Sequence, residues 1–180
     1  MNPAPNLALV GPMGAGKSAV GRLLGERLGL RFADLDHEIE GRTGATVATI
    51  FECEGEAGFR VRERAVLHAL LAGDGLVLST GGGAVLEDDN RRLLRERAFI
   101  VHLHLDVPAQ LQRLTRDRSR PLLQRPDREQ ALRELAAIRG PLYDEIADLR
   151  FDTGNDNATH AATTLAGLLA TRWQRGTVAA

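Results

Sequence analysis

The segment Gly11-Pro12-Met13-Gly14-Ala15-Gly16-Lys17-Ser18 sets two glycines around four residues and follows them with Lys-Ser. A loop that wraps phosphate needs this spacing. Glycines let the backbone curl until successive N–H groups point at phosphate oxygens, and a helix starting there adds its positive end. Lys17 reaches β- and γ-phosphates, and the Ser18 hydroxyl is a hard oxygen ligand suited to Mg²⁺. Backbone contacts to phosphate are expected from Gly14, Ala15, Gly16 and Ala19, beside those of Lys17 and Ser18. The chemistry on offer is the binding of a nucleotide's terminal phosphate and, given an acceptor, its transfer.

The loop alone does not choose between a GTPase, an ATPase and a kinase. The guanine-reading pattern Asn-Lys-x-Asp cannot occur, because Lys17 is the only lysine among 23 basic residues. Base-composition bias in the coding DNA accounts for the other 22 being arginine, and most of those arginines are expected on the surface. A transferase must also bind an acceptor and keep water out, usually with a lid. The stretch from Asp117 to Arg128 is dense in Arg, Asp and Pro and suits that task. Within it, Arg120 is the candidate for stabilising charge on the triphosphate.

These residues need a scaffold that presents a loop between a buried strand and a helix. Leu7–Val10 is a short apolar run, as in a strand buried on both faces. Ala19, Val20, Leu23, Leu24 and Leu28 share one helical face, and Gly29 ends it. Further strands are predicted at Leu30–Leu35, Leu76–Ser79, Phe99–Leu105 and Leu149–Asp152. Helices are predicted over Val47–Leu71 (broken near Gly55–Gly58), Asp88–Arg97, Val107–Arg116, Glu129–Ile146 and Ala158–Trp173. Strands alternating with helices imply an α/β fold, a three-layer sandwich around a central parallel five-stranded sheet. No linker divides the chain, so a single domain over residues 1–180 is expected, with a lid near 117–128.

Composition narrows the partners. With 24 acidic residues against 23 basic the net charge is −1, which argues against a chain-wide nucleic-acid footprint. One cysteine, Cys53, excludes an internal disulfide and any multi-cysteine zinc site. No apolar stretch is long enough to span a membrane, and residues 1–5 lack the basic region of a signal sequence. The expectation is a cytoplasmic protein acting as a monomer on a small molecule. His37, His68, His102, His104 and His160 show no ligand or catalytic spacing and are read as structural.

Several weaker motifs follow the loop in fixed order: Asp34-Leu-Asp36, Phe59-Arg60-x-x-Glu63, Gly81-Gly82-Gly83, Arg120-Pro-Leu-Leu and Arg139-x-Pro-Leu-Tyr143. In this order the chain resembles the shikimate kinases, from the phosphate loop to about Asp152. The resemblance implies transfer of the γ-phosphoryl of ATP to the 3-hydroxyl of shikimate, with Mg²⁺ as cofactor and an acceptor-binding helical segment near 36–64. It implies that Arg60 and Arg139 grip the shikimate carboxylate, for which arginine's planar fork is suited. Asp36 would accept hydrogen bonds from ring hydroxyls and is the candidate base. Asp34 would join the Mg²⁺ shell through water, with Ser79 nearby. Gly81, Gly82 and Gly83 would let backbone N–H groups approach the acceptor. Glu63 would pair with Arg60 and hold it ready.

The chain departs from the family pattern at one place. The segment Asp152-Thr-Gly-Asn-Asp-Asn157-Ala158 has alanine where the family carries proline beside the adenine. Arg113 would stack on the ring's other face, with Asn157 in the adenine loop. Losing the proline is expected to loosen that loop and let GTP replace ATP more readily. Two alternatives stay open on sequence alone. One is a related kinase for gluconate or a nucleoside monophosphate; the other is an idle nucleotide-binding module, which the presence of Lys17, Ser18 and both aspartates disfavours.

Overall fold

The computed structural model describes residues 3–115, 127–154 and 156–174. Its centre is β1 (Asn6–Val10), in which all five residues are buried. β1 pairs in parallel with β3 (Leu76–Ser79) on one side and β4 (Ala98–His104) on the other. β2 (Arg31–Asp34) and β5 (Leu149–Asp152) complete a five-stranded parallel sheet in the order β2-β3-β1-β4-β5. Parallel neighbours need crossover helices, which is why both faces are covered. Alternation along β1 divides the core. Leu7 and Leu9 pack with Val20, Leu24, Leu165 and Leu169, while Ala8 and Val10 pack with Leu67, Leu71, Tyr143 and Ile146. The expected three-layer α/β sandwich is the one observed.

Helix ends are set by local chemistry. α1 (Lys17–Leu28) starts from Gly16 at φ 86° and stops at Gly29 at φ 63°, both in the left-handed region that favours glycine. α2 (Leu35–Thr43) is capped by the Asp34 carboxylate, which accepts from the N–H groups of Asp36 and His37. Thr46 caps α3 (Val47–Leu71), which bends at Gly55 (φ 70°, ψ −176°) where the sequence predicts a break. Ions pair across the bend, with Arg62 donating to Glu54 at 2.6 and 2.8 Å. A 3₁₀ turn (Ala84–Leu86) leads into α4 (Asp88–Arg97). Then come α5 (Val107–Arg113), α6 (Arg128–Ile146) and α7 (Ala158–Arg172).

Boundaries differ from expectation where capping overrides periodicity. The second strand spans Arg31–Asp34 rather than Leu30–Leu35, because Leu35 already opens α2, a helix that the apolar pattern did not mark off. The segment near 36–64 is therefore two helices, separated where Gly44 ends one and Thr46 starts the next. α5 ends at Arg113 rather than Arg116. Connections from β1 and from β3 leave in opposite directions, and the crevice at their carboxyl ends is where such sheets take ligands.

Candidate active site

That crevice is a cavity of about 430 Å³ lined by Gly14, Gly16, Lys17, Ser18, Ala19, Asp34, Asp36, Ser79, Gly81 and Gly82, among others. The phosphate loop forms one wall. It leaves β1 at Gly11, where any larger residue would run into the Leu103 carbonyl oxygen. α5 braces it from outside: Gln110 Nε2 donates to Met13 O at 2.9 Å and Arg113 Nη1 to Gly14 O at 3.2 Å. Ala15 is buried beneath the loop. Lys17 Nζ, nearly buried, donates to the carbonyls of Gly11 and Pro12 at 2.8 Å each. The ammonium is thereby held over the concave loop at the start of α1.

Opposite Lys17, oxygen ligands converge. The Ser18 hydroxyl is hydrogen-bonded to Asp34 Oδ2 and lies 3.3 Å from Ser79 Oγ. Asp34 Oδ1 meanwhile caps α2, at 3.1 Å from Asp36 N and 3.3 Å from His37 N. One carboxylate thus fixes a helix start and faces the phosphate loop. Hydroxyl and carboxylate donors suit a hard divalent cation such as Mg²⁺. Among the described residues no group of three or more His, Cys, Asp or Glu could hold a metal alone. Water and phosphate oxygens would have to complete such a shell.

The acceptor wall is built on Gly81–Gly83, between β3 and the 3₁₀ turn. A methyl group at Gly81 would come within 2.9 Å of Asp36 Oδ1 and 3.2 Å of Glu63 Oε1. One at Gly82 would lie 3.5 Å from Arg139 Nη1, and one at Gly83 would collide with the Arg60 guanidinium, 2.8 Å from Nη1 and closer to Nη2. Three successive glycines therefore face Asp36, Arg139 and Arg60 in turn. A carboxylate-bearing polyol fits such a wall, with guanidinium forks for the acid and a carboxylate for the hydroxyls.

Arg60 donates to Glu63 Oε2 at 2.7 Å and to Glu56 Oε1 at 3.0 Å. Burial opposes its charge, but the two carboxylates outweigh burial and raise its pKa. Glu63 is fully buried, so this is not a surface pair. Its Oε1 accepts no hydrogen bond among the described residues. Burial, reinforced by the Asp36 charge, holds the Glu63 carboxyl above its usual range against the pull of Arg60 and Arg139. Glu56 escaped the sequence reading, although its i, i+4 spacing to Arg60 was a usable signal. Gln110 also escaped it, since nothing in a helical pattern marks a glutamine that reaches back to another loop.

The adenine side adds contacts that the sequence does not show. After β5, Arg113 reaches Thr153, Gly154 and Asp156. Its guanidinium donates to Thr153 Oγ1 (3.2 Å), Thr153 O (3.0 Å) and Gly154 O (2.5 Å), and more weakly to Asp156 O (3.4 Å). Thr153 is anchored in turn to His104 O. Ala158 opens α7 without a proline because Asn157 caps the helix, accepting from His160 N at 2.9 Å. Arg113, Ala109, Gln112, Gly154 and Asp156 line a shallow cavity there. Arg120 and residues 117–126 of the expected lid lie outside the described residues.

A parallel sheet with this loop, an Arg/Asp-lined glycine turn beside it and an arginine-tied loop across from it defines a small-molecule kinase of the P-loop class. The shikimate kinase family profile matches residues 13–169. The shikimate kinase of Stenotrophomonas maltophilia strain K279a is 57% identical over 175 residues, covering 97% of both chains. That of Xanthomonas campestris pv. campestris strain 8004 is 55% identical over 174 residues, again covering 97% of both. Shikimate kinase from Acinetobacter baumannii in complex with shikimate superimposes with a TM-score of 0.89 at 50% identity, covering 94% of this chain and 95% of the other. The chain belongs to the shikimate kinase family.

Proposed function

We propose that the residues gathered in this crevice divide the work of one reaction, transfer of the γ-phosphoryl of ATP to the 3-hydroxyl of shikimate. The observation that supports this most is the order along Gly81–Gly83, which sets a carboxylate and two guanidinium groups around one small volume beside the phosphate loop. Arg60 and Arg139 take the acceptor carboxylate, and Asp36 accepts from the ring hydroxyl that attacks. The transition state of phosphoryl transfer is loose, so aiming that hydroxyl is the larger part of Asp36's task. Lys17 and the backbone N–H groups of Gly14–Ala19 hold the β- and γ-phosphates. Ser18 and Asp34 are the residues that would hold Mg²⁺, which when bound would supply charge neutralisation to the phosphates. Arg113 and Asn157 border the adenine. Arg120 is assigned to charge stabilisation on sequence alone.

Among the described residues no helix is long and apolar enough to cross a membrane. We place the reaction in the cytoplasm, where ATP is plentiful, carried out by a monomer without nucleic-acid or membrane partners. One assay tests the assignment: ADP release with shikimate, gluconate, AMP and CMP offered separately. Turnover with shikimate is expected. Turnover only with another acceptor would overturn the reading.

A further inference from the structure

The glycine turn presents a physical problem. Three successive glycines have no side chains to hold their peptide planes, and each loses more backbone freedom on ordering than any other residue would. The structure shows what holds them. The carbonyl of Gly81 accepts from Ala84 N at 3.1 Å and that of Gly83 from Leu86 N at 3.0 Å, both within the 3₁₀ turn. The middle carbonyl is held differently: Tyr143 Oη, reaching across from α6, donates to Gly82 O at 2.5 Å.

This bond orients more than an oxygen. The Gly82–Gly83 peptide is planar and trans, so its N–H points opposite to its carbonyl. Drawing the oxygen toward α6 turns the Gly83 N–H away from α6. Arg139 lies one turn before Tyr143 on the same helix face, and its guanidinium acts on the Tyr143 hydroxyl. Arg139 and the Gly82–Gly83 peptide are thus referred to a single side chain.

The tyrosine is itself braced. Its ring is buried and lies 5.1 Å, centroid to centroid, from that of His102 on β4. His102 Nδ1 is 2.7 Å from Asp144 Oδ1, and Asp144 Oδ2 accepts from Arg150 on β5 at 3.2 Å. Two strands of the sheet therefore stand behind the ring. Tyr143 works as a post between the rigid sheet and a turn that has no side chains of its own.

We propose that Tyr143 is a positioning residue for the acceptor: its hydroxyl fixes the Gly82–Gly83 peptide in register with Arg139, so that a bound carboxylate meets the guanidinium and the backbone N–H together. The inference rests on the crevice being the shikimate site. Its test is Tyr143→Phe in the full chain, which keeps the ring and its packing and removes only the hydroxyl. A neutral hydrogen bond of ordinary strength predicts a rise of about 2- to 12-fold in KM for shikimate. kcat should stay within about twofold, and KM for ATP should not move. A shikimate analogue with the carboxylate reduced to an alcohol supplies the readout a merely structural role would not change. For that acceptor the KM ratio of variant to wild type should fall toward one. An unchanged KM for shikimate, a parallel rise for ATP, or an equal ratio with the analogue would each overturn the proposal. If wild type fails to turn over shikimate at all, the functional reading itself falls, and this inference with it.

Discussion

A single methyl group should separate the roles of the three glycines. None of them has a positive φ, and Gly83 sits at φ −94°, ψ −3°, which alanine adopts without strain. Any effect of Gly83→Ala therefore comes from the space its methyl occupies. That methyl would lie 2.8 Å from Arg60 Nη1 and 2.9 Å from Cζ, against an ordinary contact of 3.4 Å or more. With Nη2 closer still, the guanidinium must shift by well over half an ångström, yet Glu63 at 2.7 Å and Glu56 at 3.0 Å hold its two terminal nitrogens. Losing the alignment of one charge-assisted hydrogen bond is worth about 1.5–3 kcal/mol, or roughly 10- to 150-fold in KM for shikimate. Gly82→Ala meets nothing nearer than 3.5 Å and should stay within about twofold. Gly81→Ala presses on Asp36 Oδ1 at 2.9 Å and should lower kcat instead, on the order of 10- to 100-fold. The assay is coupled ADP release with each substrate varied in turn, with a thermal melt as a control on folding. Gly83→Ala with an unchanged KM for shikimate, or the same defect in all three variants, would refute the reasoning.

Other outcomes follow from the same geometry. Lys17→Arg keeps the charge but must seat a planar fork where an ammonium fits between two carbonyls at 2.8 Å, so kcat should fall at least ~100-fold; near-normal kcat would show the lone lysine to be an accident. Asp36→Asn should fold normally, by circular dichroism, and lose about 100-fold in kcat; a change within about twofold would remove Asp36 from the chemistry. Burial, only partly offset by Asp144, holds His102 below its ordinary pKa of 6.5, with His104 and Arg150 adding to the lowering. A depressed histidine contributes stability above pH 6.5 that is lost as pH falls through its folded value. The Tm gap between wild type and His102→Phe should accordingly narrow from pH 7.5 to pH 5, and a gap that is constant or widens contradicts this assignment.

The parts of the protein most legible in its sequence are those whose pattern is local. The phosphate loop, its flanking strand and helix, and the kink at Gly55 each depend on neighbours within a few residues, so spacing reveals them. α2 did not show because its face toward the core rests on two fully buried residues, Leu35 and Ile39, too few for a periodic signal. Contacts between distant segments were equally silent. Nothing local links Arg113 to Thr153 and Gly154, 40 and 41 positions away, or Tyr143 to Gly82, 61 positions away. Near Ala158 the same holds: a missing proline is visible in one dimension, and the arginine that bonds Thr153 and Gly154 is not.

Arginine abundance makes the same argument from the other side. With 22 in the chain, rarity cannot single out the functional ones, and burial does not suffice either. The side chains of Arg60 and Arg91 are 12% and 14% exposed. Both hold carboxylates; what separates them is whether backbone is tied as well. Arg91 donates to the Val85 and Leu86 carbonyls, which are fixed parts of the backbone, as well as to the exposed Asp88 carboxylate, so one of its nitrogens is committed once the 3₁₀ turn has formed. Arg60 donates to carboxylates, one of them buried with an oxygen that accepts no hydrogen bond among the described residues. A guanidinium has five N–H donors, and a pair formed with side-chain carboxylates can be re-divided when another carboxylate enters. An arginine that ties backbone completes a fold, and one poised on side-chain carboxylates, against a turn with no side chains, is prepared to receive a substrate.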